Sequence, residues 1–472
     1  MRPIIITLLS ATLMLLTPAV SAVRLSLDNS GQVLLFPLFM TGSGFQTVFE
    51  IRNQSSAGKA LRFVARDPLN GRPTLSLNVY LEPGDSWSGA LFSPDADAAV
   101  SSAEAALAPW VDLSCTFPTR ASAPDGLALS AAHFTEDLDE IFAPESRLAN
   151  GFIEVYEMGT LPEELAGDCD AISSRWATGG TWRQDPLADL SAPTGGIEGY
   201  AIIVNVDNGS AHQFEAIALA DFRTSPLHTA PDMDRQPSLA DVDPPESRVL
   251  ETVVFGNRTL QVERVSTWTE FPVHAVDALL MATAARTDYS VSRDTDAQTF
   301  TALTFPTRPY HVDAQAFYLP AGQNRVLAPF AVSLPAAGGE NKQETEVKVQ
   351  AQDREGRVFQ LSPFAGRPDC NLAQATITTV FMTNTQPFTS PCPFTRAEFR
   401  VPNNAADGEV RYGLSGEIIS DEGHVFRGLP IVGFVIQTIT NNNVDLGNNR
   451  VGLANYGWAR ALKLERDVSD GP

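Results

Sequence analysis

Basic residues are scarce in this chain. Over 472 residues, 33 lysines and arginines face 56 aspartates and glutamates, a formal charge of −23 at pH 7. Acid spread along the whole length repels nucleic acid and anionic lipid, so no nucleic-acid partner is expected. After residue 22 no stretch reaches the roughly 18 apolar residues of a membrane helix, so no membrane span is expected. Catalytic motifs are missing as well. There is no P-loop and no His-Glu-x-x-His, and the nearest run to a nucleophile elbow, Gly413-Leu414-Ser415-Gly416-Glu417, misses its spacing. Paired Cys-x-x-Cys ligands are absent, which argues against a zinc ribbon. Glycine and proline, 33 of each, follow no period, and the apolar content of 43% is that of a globular chain. Collagen, coiled coil and wholesale disorder are excluded.

What is present begins with a leader. Arg2 supplies a positive end, residues 4–16 an apolar stretch, and Val20-Ser21-Ala22 small residues before a cleavage point. This is the pattern of a secretory signal peptide over residues 1–22, so the mature chain is expected in the periplasm, at the cell surface or outside the cell. The four cysteines, Cys115, Cys169, Cys370 and Cys392, are an even number. In an exported chain they read as two disulfides. Three pairings are open, and Cys115 with Cys169 and Cys370 with Cys392 is favoured because each pair lies within one half.

Short apolar or alternating runs separated by turn residues cover residues 33–39, 47–52, 60–66, 75–81 and 86–92, a pattern of antiparallel strands. A hairpin is expected between 47–52 and 60–66, and Trp87 is expected to anchor a core. Strands resume at 249–255, 260–269, 299–304, 326–334, 344–352, 375–383, 396–401, 409–414 and 431–440. Helical spacing occurs in residues 96–110 and 276–290. Between them the segment 223–248 carries Pro226, Pro231, Pro237, Pro244 and Pro245 without periodicity, which marks a linker. The predicted fold is mainly β: two antiparallel, Ig-like β-sandwich lobes over residues 23–222 and 249–466, with a few short helices and a flexible tail at 467–472. Phe117-Pro118-Thr119-Arg120 recurs as Phe305-Pro306-Thr307-Arg308, a weak sign of duplication.

Several segments in combination carry a family resemblance. They are residues 33–39 with Pro37, Leu81-Glu82-Pro83-Gly84-Asp85-Ser86-Trp87, Ser114-Cys115-Thr116, and the run from Gly151 to Gly159 around Phe152-Ile153-Glu154-Val155-Tyr156. To these add Phe305-Pro306-Thr307-Arg308 with Val312-Asp313, and Gly428-Leu429-Pro430-Ile431-Val432-Gly433-Phe434 leading to Asn441-Asn442-Asn443. On these residues the chain resembles a family of uncharacterised exported bacterial, proteobacterial-type proteins of the cell surface or periplasm. The resemblance implies a mostly β architecture outside the cytoplasm and no assigned reaction. After Phe305-Pro306-Thr307, where relatives tend to carry aromatic and basic residues, this chain has Pro309-Tyr310-His311, so no role for that corner carries over.

Candidate chemistry is sparse. The six histidines, at 133, 212, 228, 274, 311 and 424, stand singly, and His311-Val312-Asp313 sets a histidine near a carboxylate, on one face if the segment is a strand. A surface pair is the more common outcome of that spacing. Acidic groups at Asp232-Met233-Asp234 with Asp241 and Asp243, and at Glu136-Asp137-Leu138-Asp139-Glu140, do not fit an EF-hand. Calcium held by distant loops is the one cofactor such a chain would take; otherwise none is expected. One aromatic constellation remains: Trp176 and Trp182, with Arg175, Arg183 and Asp185 around Gly179-Gly180, could offer flat faces to a sugar ring, although plugging a sandwich end is the commoner use. The expected function is therefore an exported, non-catalytic structural or binding protein whose partner is an unknown protein or polysaccharide. The alternatives are a carbohydrate-binding module using the Trp176 and Trp182 loop, or an exported hydrolase whose carboxylates carry no motif.

Overall fold

The computed structural model describes residues 22–42, 44–94, 105–134, 147–233, 235–255, 258–292, 296–313, 327–330, 347–361, 375–383, 396–402, 404–445, 447 and 451–471. The chain is mainly β, with several antiparallel sheets and few helices. In the first half a seven-stranded sheet runs in the order Arg24–Leu25, Ile217–Ala220, Val33–Met40, Asn150–Thr160, Lys59–Arg66, Pro73–Leu81 and Cys115–Phe117. A six-stranded sheet runs Ser210–Glu215, Ile197–Asn205, Phe45–Asn53, Ser86–Phe92, Ala106–Leu107 and Leu127–Ala128. Both contribute to one core. Phe49, Ile51 and Trp87 of the second sheet meet Leu61, Phe63, Leu77 and Val155 of the first, and Phe49, Phe63 and Trp87 contact one another ring to ring.

The alternation of strand side chains decides what each strand serves. Along Phe45–Asn53, Phe49 and Ile51 turn inward while Val48 and Arg52 are exposed, the signature of a sheet with one wet face. Val33–Met40 instead is buried on both sides. Leu34, Phe36 and Leu38 feed the core between the two sheets, while Val33 and Leu35 join a separate core with residues of the second half. The outer face of the seven-stranded sheet is thus covered.

In the second half one five-stranded sheet runs Val358–Leu361, Val347–Asp353, Asp407–Leu414, Ala284–Ser290 and Lys463–Glu465. The other runs Arg396–Arg400, Ile377–Thr383, Ala297–Thr304, Val432–Asp445 and Val451–Ala461. Tyr289, Val349, Val410 and Tyr412 from the first pack with Leu303, Val380, Phe399 and Val435 from the second. The halves join along a seam where Phe214 stacks on Phe434 at 4.2 Å between ring centres. There the Thr304 hydroxyl donates to the Pro37 carbonyl at 2.6 Å.

Several sequence expectations are corrected. Strands Phe45–Asn53 and Lys59–Arg66 do not form a hairpin: the first pairs with Ile197–Asn205 and Ser86–Phe92, the second with Asn150–Thr160 and Pro73–Leu81, so the turn between them crosses from one sheet to the other. The helix expected at 276–290 ends at Leu280, and Ala284–Ser290 is a strand whose Ala285, Thr287 and Tyr289 are buried in alternation. Of the helix expected at 96–110, residues 96–104 lie outside the described residues, and Ala106–Leu107 is a strand. The strand expected at 326–334 is irregular at 327–330, and its remainder is outside the described residues. The segment 223–248 is no free spacer: Ser238 caps a helical turn at Leu239–Asp241, Leu239 is buried, and a strand begins at Glu246. The expected tail is ordered too, since Asp467–Asp470 pairs with His424–Arg427.

Candidate functional site

The aromatic loop around Trp176 and Trp182 is helical. Two helices follow the Asn150–Thr160 strand there, α1 (Cys169–Trp176) and α2 (Thr181–Gln184). Asp168 caps α1 by accepting from the Ala171 N–H at 2.9 Å, and a disulfide from Cys115 to Cys169 fastens its start to the sheet. Ile172 and Trp176, four apart, turn one face of α1 inward. Trp176 and Trp182 are 1% and 0% exposed, packed with Tyr80 and His228. The sugar-platform reading is therefore corrected: neither indole presents a face to solvent, because the pair fills the space over the sheet's outer face. Arg175 pairs with Asp189 at 2.6 Å, Arg183 with Asp232 at 2.8 Å, and Asp185 accepts from the Leu187 N–H. None of these polar groups waits for a hydroxyl.

The acidic groups proposed for calcium are accounted for in the same way. Asp232 is held by Arg183, Asp241 accepts from Ser238 and pairs with Arg235, and Asp243 lies 3.9 Å from Arg223. Asp234, residues 136–140, Cys370 and Cys392 lie outside the described residues.

Around Tyr80 the hydrogen bonds fix a histidine's state. The Trp176 indole and the Asn78 amide both donate to the Tyr80 hydroxyl, at 2.5 and 3.1 Å. The hydroxyl proton is then directed at His228 Nε2, 3.0 Å away, and His228 Nδ1 donates to the Pro186 carbonyl at 2.7 Å. Burial, reinforced by the nearby Arg62 charge, pushes the His228 pKa down to about 3.

The outer face of the seven-stranded sheet carries charges that alternation alone would assign to water. Arg66 pairs with Glu154, which also accepts from the Tyr156 hydroxyl at 2.8 Å. Arg72 forks onto Asp313 at 2.9 and 3.2 Å, and Arg147 onto Asp67. Lys59 pairs with Glu157 at 2.7 Å, and Glu157 also accepts from the Thr194 and Gly195 N–H groups. Burial raises the pKa of Glu154 against the opposing pull of Arg66, and that of Glu157 against Lys59. These groups neutralise one another, so they orient the packing and leave no reactive charge.

His311 and Asp313 are not strand neighbours. They lie at the end of helix α4 (Arg308–Val312) and face different partners: Asp313 binds Arg72, while His311 faces Asp277 of helix α3 (Val273–Leu280). Among the described residues His274, also on α3, forms with Asp277 and His311 a group able to hold a metal ion.

An open groove of about 720 Å³ lies where the two five-stranded sheets meet, lined by Asp288, Gln352, Asp353, Glu409, Trp458 and Arg460 among others. Its aromatic wall comes from Val451–Ala461. Along Tyr456-Gly457-Trp458-Ala459-Arg460, small residues alternate with large ones. A Cβ at Gly457 would lie 2.4 Å from the His212 ring, so the small side packs against the first half. Tyr456, Trp458 and Arg460 share the other face, with Trp458 40% and Tyr456 58% exposed. Arg460 is held at 3.1 Å by Gln437 and 3.5 Å by Asp288. Sequence reasoning assigned no strand here, yet the alternation of aromatic and small residues was the available signal. Compared with protein-family models, curated proteins and solved structures, the chain shows no match to any.

Proposed function

We propose that the chain is an exported, non-catalytic binding protein of the cell envelope or surface. In this reading it is built as two Ig-like sandwich lobes, and it takes an uncharged saccharide in the groove beside Trp458. One observation carries the site: of the six tryptophans, five are at most 5% exposed and Trp458 is 40% exposed. An indole left in water at a concave, polar surface is what a sugar ring's apolar face requires, and the neighbouring carboxylates and amides supply partners for hydroxyls. Asp288, Asp353, Asp407 and Glu409 outweigh Arg354 and Arg460 along the groove, which disfavours anionic polymers. The leader at residues 1–22, the Cys115–Cys169 bridge and the resemblance to exported envelope proteins support the location.

Affinity electrophoresis through gels containing neutral polysaccharides tests the site. Retardation of the full chain is expected, and Trp458→Ala should abolish it while leaving the melting temperature unchanged. Retardation that survives in Trp458→Ala, or none with any neutral glycan, refutes it. Location is tested separately by treating intact and permeabilised cells with protease.

A further inference from the structure

The seam holds a second cluster, remote in role from the groove. His274 and Asp277 stand three residues apart on α3 and so project from one side of the helix. His311 comes from α4, its ring stacked on that of His274 with centres 5.3 Å apart and planes within 11°. One donor atom from each of the three residues lies within 4.8 Å of the others. Asp277 and His311 are fully buried. His311 Nε2 is 2.8 Å from Asp277 Oδ2, but out of line, so both carboxylate oxygens and both ring nitrogens lack a hydrogen bond.

A buried carboxylate and a buried imidazole that approach to 2.8 Å without an aligned hydrogen bond are unusual, because each bears the cost of lost water with only their mutual attraction in exchange. A cation between them removes that cost. His274 adds a second argument. Its Nε2 lies 3.1 Å from the Ala328 carbonyl, an acceptor only, so Nε2 carries the proton and Nδ1 the lone pair. A ring whose remote N–H is tied to a carbonyl is how a ligating histidine is held.

We propose that His274, Asp277 and His311 bind one zinc-class divalent cation that ties α3 to α4 at the seam. Two imidazoles and a carboxylate suit zinc, whereas calcium and magnesium demand oxygen ligands. Around a tetrahedral ion with bonds of about 2.0 Å, donors stand about 3.3 Å apart, so the present spacing needs only small side-chain rotations. Trp268 and Phe330 flank the two histidine rings and keep the surroundings apolar. His274, half-buried, is the side from which the ion arrives. Three protein donors leave the fourth corner of the tetrahedron to water.

The test uses the full chain stripped with chelator, then titrated with Zn²⁺ and with Co²⁺. Binding of one equivalent is expected, with the visible absorption of tetrahedral cobalt and a higher melting temperature. His274→Ala, at the half-buried ligand, should lower the affinity at least about 100-fold, beyond what loss of an outer partner costs. Asp277→Asn should abolish binding yet melt higher than the metal-free parent, because it removes a buried carboxylate whose oxygens accept no hydrogen bond. Failure of the parent chain to bind either metal overturns the proposal, as does His274→Ala binding as tightly as the parent.

Discussion

Acid should destabilise the first half through one histidine, and the size of the effect can be worked from its surroundings. His228 is neutral in the fold because Tyr80 presents its proton to Nε2 and the Pro186 carbonyl takes the proton on Nδ1. Protonation would set two hydrogens face to face, next to the Arg62 charge. The folded pKa of about 3 lies below the ordinary 6.5. Between these values the unfolded chain binds the extra proton, so stability is complete above about pH 6.5 and falls as the pH drops. From pH 7.5 to pH 5 the loss is about 2 kcal/mol, at 1.36 kcal/mol per pH unit. Glu154 and Glu157 act in the opposite sense: burial raises their pKa in the fold, so they favour it at low pH. A comparison with His228→Gln cancels them, since both carboxylates are common to the two proteins. Urea unfolding followed by the fluorescence of Trp176 and Trp182 should show the parent losing about 2 kcal/mol more than the variant between those pH values. Parallel pH profiles would refute the assignment of His228 as the buried neutral base.

Two further outcomes follow from the buried pairs and the bridge. Glu157→Gln leaves the Lys59 ammonium buried without its counter-charge and should cost about 3–5 kcal/mol, read as a lower urea midpoint. Reducing the Cys115–Cys169 bridge, or replacing both cysteines by serine, reopens a loop of 54 residues and should cost about 4 kcal/mol in the chain-entropy treatment; an unchanged melting temperature under reductant would contradict it.

The strands were legible where one face is wet. Residues 47–52 alternate because Phe49 and Ile51 meet the core while Arg52 meets water, and Trp87 is in the core as its position after a turn suggested. Legibility failed where both faces are covered. Arg62, Arg66 and Glu154 look like solvent positions, yet the second half, the α1–α2 layer and the crossing at 223–248 bury them, and no local pattern announces a partner more than a hundred residues away. Asp277 and His311 sit 34 positions apart in the sequence, so their meeting depends on how α3 and α4 pack. Trp176 and Trp182 form a visible pair because they are close in sequence. Trp458 stands alone, and its exposure follows from Gly457 and Ala459 taking the inner side of the strand.

The pairing of Arg72 with Asp313 spans 241 residues, and the Thr376 hydroxyl reaches the Leu69 carbonyl across 307. A chain emerging from its N-terminus therefore makes the loop around Asp67 long before either partner exists. Such distant contacts form late, after the loop entropy of the intervening chain has been overcome. Until then Arg72 and the loop around Asp67 stay hydrated. The final docking exchanges that water for Asp313 and the Thr376 backbone in a single pose, so the last third of the chain acts as the timekeeper for the first.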